Sequence, residues 1–181
     1  MAVVGFSGHF VVASDAPEDG VRDQLPDGDF LAPLGPRFLA ALGRRLGRRV
    51  DGVDMLLAAP GLSGSASAGE VELADHARVL RAEAHREEVR AFETAEGAAT
   101  LVLGRGLARR WEVAVEVVPE VRGRVIARDA LIDARRLVGS SAVLFAQTAP
   151  ANAASVRALL AAGFQPVGAE VLFFRGRPPS E

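Results

Sequence analysis

The run from residue 88 to 147 restricts the fold more than any other part of the chain. "EVRAFET", "AATLVLGRGL" and "RWEVAVEVV" are rich in β-branched and apolar residues, and only "AEG" and "ARR" separate them. Connections this short force neighbouring strands to run antiparallel, so the three predict a meander. In the third, Val113, Val115 and Val117 alternate with Glu112, Ala114 and Glu116, which predicts a core-facing valine side. After a loop comes "IARDALIDARRLV", which sets Ile126, Ala130, Ala134 and Leu137 on one helical stripe. "AVLFAQ" then reads as a buried strand.

The flanks are read in the same way. "HFVVAS" predicts a short strand, and "PEDGVRDQL" a helical turn with Pro17 near its start. "GPRFLAALGRRLGRR" predicts an amphipathic helix, with Phe38, Leu39, Leu42 and Leu46 on one face. Arg44, Arg45, Arg48 and Arg49 fall largely on the other. The acidic balance of the chain favours a solvated helix face for them over a phosphate or nucleic-acid patch. "APGLSGSASAGE", residues 59–70, predicts a mobile small-residue loop. "LADHARVLRAEAHREE" starts as a helix, and its end fits helix or strand. "PANAASVRALLAAG" predicts a helix with Pro150 near its start and Gly163 just past its end, and "AEVLFFRG" a last strand.

Composition narrows the chemistry. A chain of 181 residues with 49% hydrophobic content suggests one domain with a full core. A net charge of −2 gives no global reason to expect nucleic-acid binding. There is no cysteine, hence no disulfide, thiolate nucleophile or cysteine zinc site. All 21 basic residues are arginine and there is no tyrosine, which removes lysine Schiff bases and tyrosine general acids. A catalyst here must be Glu, Asp, His, Ser or water. His9, His76 and His85 lack a metal-ligand spacing, so no metal is expected, and His76 beside Asp75 reads as a helix-surface pair. "GFSGH" and "GLSGS" miss the nucleophile-elbow spacing, and "GRGLARR" lacks the third glycine of a dinucleotide fingerprint. "MAVVGFSGHF" has neither the basic start nor the long apolar run of a signal peptide, and no apolar run is long enough to span a bilayer. A cytoplasmic protein without membrane contact is expected.

One stretch points to a ligand. In "VPEVRGRVIARDAL", residues 118–131, an apolar strand runs through a loop with two arginines into a helix. Such a turn aims unpaired backbone N–H groups and the positive end of the helix dipole at one spot, where a pyrophosphate can sit. An ordinary loop entering a helix is the alternative, and local sequence does not separate the two.

"VVPEVRGRVIA" resembles the V-x-P-E and R-G-x-G-x-G/A segments of the GNAT acyltransferase superfamily, at Val117, Pro119, Glu120, Arg122, Gly123 and Ala127. "NAASVRALLAAGF" is similar to the downstream family segment at Asn152, Gly163 and Phe164. The resemblance covers about residues 88–175. Residues 1–87 match only loosely, as variable N-terminal helices and a first strand of a single domain spanning 1–181. It implies an α/β fold whose mixed, mostly antiparallel sheet carries helices on both faces. Two parallel strands, 111–118 and 142–147, should splay apart to admit acyl-CoA. It further implies an N-acyltransferase that moves an acetyl group from acetyl-CoA to a primary amine by direct attack. On this reading Val117, Val118, Arg122, Gly123, Arg124, Val125, Ile126, Ala127 and Asn152 bind the co-substrate. Glu116 is the general-base candidate, and Ser155 or a water protonates the leaving thiolate. The acceptor would be a small-molecule or peptide amine, and a homodimer is left open.

The chain departs from the family pattern twice. Val125 replaces the central loop glycine, and Leu159 the tyrosine that often acts as general acid. Valine keeps its N–H, so the cradle survives if residue 125 adopts right-handed helical angles. A non-catalytic module on the same fold, sensing acyl-CoA or serving in dimerisation, is the competing class.

Overall fold

A computed structural model describes residues 1–50, 52–122 and 125–176. In chain order the strands and helices are β1 (Ala2–Phe6), β2 (His9–Ala13), α1 (Glu18–Arg22), α2 (Pro36–Leu46), β3 (Arg49–Val50), β4 (Asp54–Pro60) and β5 (Gly69–Val71). Then follow α3 (Ala77–Glu83), β6 (Glu87–Glu93), β7 (Ala99–Arg105), β8 (Trp111–Val117), α4 (Ile126–Val138), β9 (Val143–Thr148), α5 (Ala153–Ala161) and β10 (Gln165–Phe174). The chain divides into two compact units. One holds Met1–Leu56 and the segment from Val167 onward, the other Leu57–Pro166.

In the first unit β1 lies between β2 and β10, antiparallel to both, and β3 pairs with the end of β10. α2 closes one side because Phe38, Leu39 and Leu42 recur on one face and bury together with Val3, Val21, Val171 and Phe173.

In the second unit β5, β6, β7 and β8 form an antiparallel succession, and β9 joins β8 in parallel. Helices cover both faces. α3 packs Val79 and Ala82 on Ala91 and Val102, with Ala114 at the rim. Side chains alternate along a strand, so Leu101, Leu103 and Val113 point to the opposite face. There α4, which buries Ala130, Leu131 and Ala134, packs against β7 and β8. The expected α/β order of meander, helix and strand is therefore present, and α4 occupies the expected residues.

Three expectations change. β9 is half-buried rather than buried, with Leu144, Ala146 and Thr148 inside and Val143 exposed. The valine side of β8 is fully buried only at Val113, whereas Glu112 on the other side is 4% exposed. The loop expected to be mobile is tied down instead. The Asp133 carboxylate on α4 accepts the Ser67 and Ala68 N–H groups, each at 3.0 Å, and the Ser67 hydroxyl. Gly61 N–H donates to the Ala142 carbonyl at 2.8 Å and Leu62 N–H to that of Arg135 at 2.9 Å. A Cβ at Gly61 would collide with the Gly139 carbonyl oxygen, so this approach requires glycine. Composition suggested freedom, but one buried acceptor 66 residues away in sequence removes it.

Candidate functional site

β8 and β9 start paired and then part. Trp111, Glu112 and Val113 face Leu144, Phe145 and Ala146, and the ladder stops there, although β8 continues to Val117 and β9 to Thr148. The expected splay is thus located after Val113. On its other edge β8 stays paired with β7 as far as Val117. Val118 N–H continues that edge by donating to the Ala98 carbonyl at 3.2 Å. Backbone groups alternate between edges, so Val115 and Val117 turn theirs toward the wedge. Two parallel strands that separate at their carboxyl ends leave a crevice where open α/β sheets place ligands.

A single turn at Pro119–Val121 follows β8, and α4 begins at Ile126. Val125, the residue before the helix, has φ −69° and ψ −1°, so its right-handed conformation tolerates the side chain that replaces glycine. It is 57% exposed. Among the described residues the first bond into the helix runs from Asp129 N–H to the Val125 carbonyl at 3.0 Å, so the N–H groups of Ile126, Ala127 and Arg128 precede it, and the Val125 side chain makes no cap hydrogen bond. Asp129 in the first turn works against an anion there, and its ion pair with Arg128 at 2.8 Å tempers the effect. Arg122 folds back, its Nε donating to the Val117 carbonyl at 3.2 Å. Gly123 and Arg124 lie outside the described residues.

The two glutamates on the α3 side of β8 have separate fates. Glu116, near the open end, is about 39% exposed and accepts from Arg78 Nε of α3 at 2.5 Å. His76 helps set that partner, because its Nδ1 accepts the Arg78 N–H and caps α3, in place of the expected surface pair with Asp75. Glu112, at the closed end, accepts from Arg86 Nε at 3.0 Å and Arg110 Nε at 2.8 Å. The Arg110 guanidinium also lies 5.1 Å above the Phe145 ring. Burial lowers the Arg86 guanidinium from its ordinary value, and Glu112 opposes that shift. Arg109, the neighbour of Arg110, binds Glu87 and Glu88.

At the start of α5, Asn152 Oδ1 accepts the Ser155 N–H at 3.1 Å. Asn152 is thus the helix cap, and Ser155 sits half-buried in the first turn. β8 and β9 run parallel, so Glu116 and Val117 end one strand while Asn152 and Ser155 follow the end of the other at the same end of the sheet. Leu159 is 4% exposed, a core residue at the position of the missing tyrosine. Arg78 and Arg86 were missed at the sequence level. Their partners lie 38 and 26 residues away, and no local pattern marks them. Among the described residues no helix is long and apolar enough to cross a membrane.

No protein-family model matches the sequence, and neither does any curated protein. Solved structures do. A GNAT-family protein from Novosphingobium aromaticivorans aligns at 21% identity over 72% of this chain and 69% of its own, with a TM-score of 0.45. A GCN5-related N-acetyltransferase from Kribbella flavida aligns at 19% identity over 75% and 62%, with a TM-score of 0.45. A GNAT-family acetyltransferase from Colwellia psychrerythraea aligns at 12% identity over 77% and 63%, with a TM-score of 0.46. The chain therefore spans 62–69% of the length of these three proteins.

Proposed function

We propose that this protein is a GNAT-type N-acyltransferase that uses acetyl-CoA and a primary amine. The observation that carries the reading is the wedge after Val113, where β8 loses its parallel partner, with the N-terminus of α4, to which the cap residue Val125 offers no side-chain hydrogen bond, following it in the chain. The motif matches on either side of the wedge support it independently. When bound, acetyl-CoA supplies the acetyl group as a thioester, which passes directly to the amine.

The wedge-facing backbone of Val115 and Val117 suits a ligand's amide groups, which extend the sheet as a further strand would. The N–H groups of Ile126 and Ala127, with Val125 and Arg122 beside them, suit a pyrophosphate. Glu116 holds the general-base role and takes the ammonium proton through water, within reach of Arg78. Ser155 or a water returns a proton to the sulfur. Asn152 keeps the first turn of α5 in place.

A second reading has its own observation. The Glu116 carboxylate is already engaged by Arg78, as it would be in a module that binds acyl-CoA without turning it over. One experiment separates the two. The protein is incubated with acetyl-CoA and a panel of primary amines while free thiol is followed, with no background because the chain has no cysteine. Amine-dependent thiol release supports the enzyme. A rise in melting temperature with acetyl-CoA but no release supports the binding module. Neither effect at millimolar acetyl-CoA overturns both.

A further inference from the structure

The first unit contains a cavity of about 520 Å³ whose lining includes Arg45, Arg48, Arg175 and Asp15. Arg44, Arg45, Arg48 and Arg49 read in the sequence as a largely solvated face, and Arg44, Arg45 and Arg49 are indeed exposed; Arg45 and the half-buried Arg48 also line this hollow, where Arg175 joins them from the far end of the chain. Local geometry accounts for the convergence. α2 ends at Gly47 in the left-handed conformation (φ 60°), and Arg48 N–H donates back to the Gly43 carbonyl at 2.9 Å. That reversal carries Arg48 round toward Arg45. The Arg45 guanidinium lies flat against α1 at Gly20, where any Cβ would collide with it. The bare backbone at Gly20 therefore works as a seat for the guanidinium.

Among the described residues none of the three arginines makes an ion pair, and Asp15 neutralises none of them. Nine arginines elsewhere on this protein are paired, with Glu18, Glu70, Glu87, Glu88, Glu112, Glu116, Asp129 or Asp133. Three arginines line one concave space with a single carboxylate among the lining residues, which leaves a net charge of about +2 for a ligand to meet. Guanidinium forks match phosphate oxygens, and the carboxylate can accept only from a hydroxyl or ammonium group. The volume is that of a small-molecule site.

We infer that this cavity of the first unit binds a small phosphomonoester that also bears a hydroxyl or amino group. The phosphate lies among Arg45, Arg48 and Arg175, and the donor group meets Asp15.

The test is calorimetric titration of the full chain with glycerol 3-phosphate at constant ionic strength, with inorganic phosphate, sulfate and glycerol alone as comparators. Saturable binding is expected, tighter for glycerol 3-phosphate than for inorganic phosphate. Arg48→Gln should weaken it about tenfold, the effect of losing one charge-assisted contact. Gly20→Ala should weaken it by unseating Arg45 while leaving every charge in place, and Asp15→Asn should erase the preference for glycerol 3-phosphate over inorganic phosphate. Circular dichroism and the acetyl-CoA thermal shift should stay unchanged in all three variants, which separates failure here from failure of the acyltransferase reading. No saturable binding, equal binding of sulfate and glycerol 3-phosphate, or binding only to phosphatidic acid vesicles would each overturn the inference.

Discussion

The two ends of β8 present the same residue type on the same face and use it in opposite ways. At the closed end Glu112 is buried between Arg86 and Arg110, beside the last rungs that join β8 to β9. At the open end Glu116 meets one arginine and keeps more than a third of its side chain in solvent. A buried carboxylate between two cations cannot give up its charge without stranding them, so it serves the architecture. A half-exposed carboxylate with one partner can exchange that partner for water or substrate. Four residues along one strand separate a rivet from a candidate base.

The comparison breaks most decisively at Glu112. Glu112→Gln keeps the shape but leaves two buried guanidinium groups without their counter-charge. It should cost roughly 3–5 kcal/mol in chemical denaturation. A loss under about 1 kcal/mol would show that the closed end does not depend on this network. Glu116→Gln should leave the denaturation midpoint nearly unchanged, because an exposed pair contributes at most about 1 kcal/mol. It should slow amine-dependent thiol release by on the order of 10²-fold. Equal rates for parent and variant would remove Glu116 from the chemistry.

Asp133 sharpens the contrast from α4. Burial alone would raise its carboxyl, but hydrogen bonds from the Ser67 hydroxyl, Arg136 and the Ser67 and Ala68 amides outweigh burial and hold it below the usual carboxylate range. With the folded value below the unfolded one, the stabilisation is present above the unfolded carboxyl value near about 3.9 and fades as pH falls through the folded value. Asp133→Asn should cost roughly 1–3 kcal/mol at neutral pH. Its stability should also fall less steeply than the parent's on acidification, measured by denaturation across the acid range.

Smaller effects belong to the open end. Val125→Gly should lower stability by roughly 0.5–1 kcal/mol, since Val125 already has helical angles and glycine adds only chain entropy. It should tighten acetyl-CoA binding in a titration if the exposed valine crowds the cradle, and unchanged affinity would mean the ligand stays away from residue 125. Asn152→Asp should change stability by less than about 0.5 kcal/mol, because aspartate also caps helices and suits the dipole. Weaker acetyl-CoA binding by this variant would show a ligand contact in addition to the cap.

Local patterns in the sequence were sufficient for most elements of the second unit, though not for β4 or β5, where the small-residue stretch read as loop. The meander, the extent of α4 and the turn into it follow from alternation, helical spacing and turn residues, each of which acts within a few positions. Val125 was readable too, because its allowed angles depend on the helix it adjoins. What the sequence could not decide is where each charge ends up. Whether Glu112 is buried, which arginine holds Glu116 and whether the small-residue loop moves all depend on contacts between distant segments. Composition records that those charges exist. Only the packed chain brings Asp133 to Ser67, Arg78 to Glu116 and Arg175 to Arg45, because a charge interacts through space and its partner is chosen by the fold.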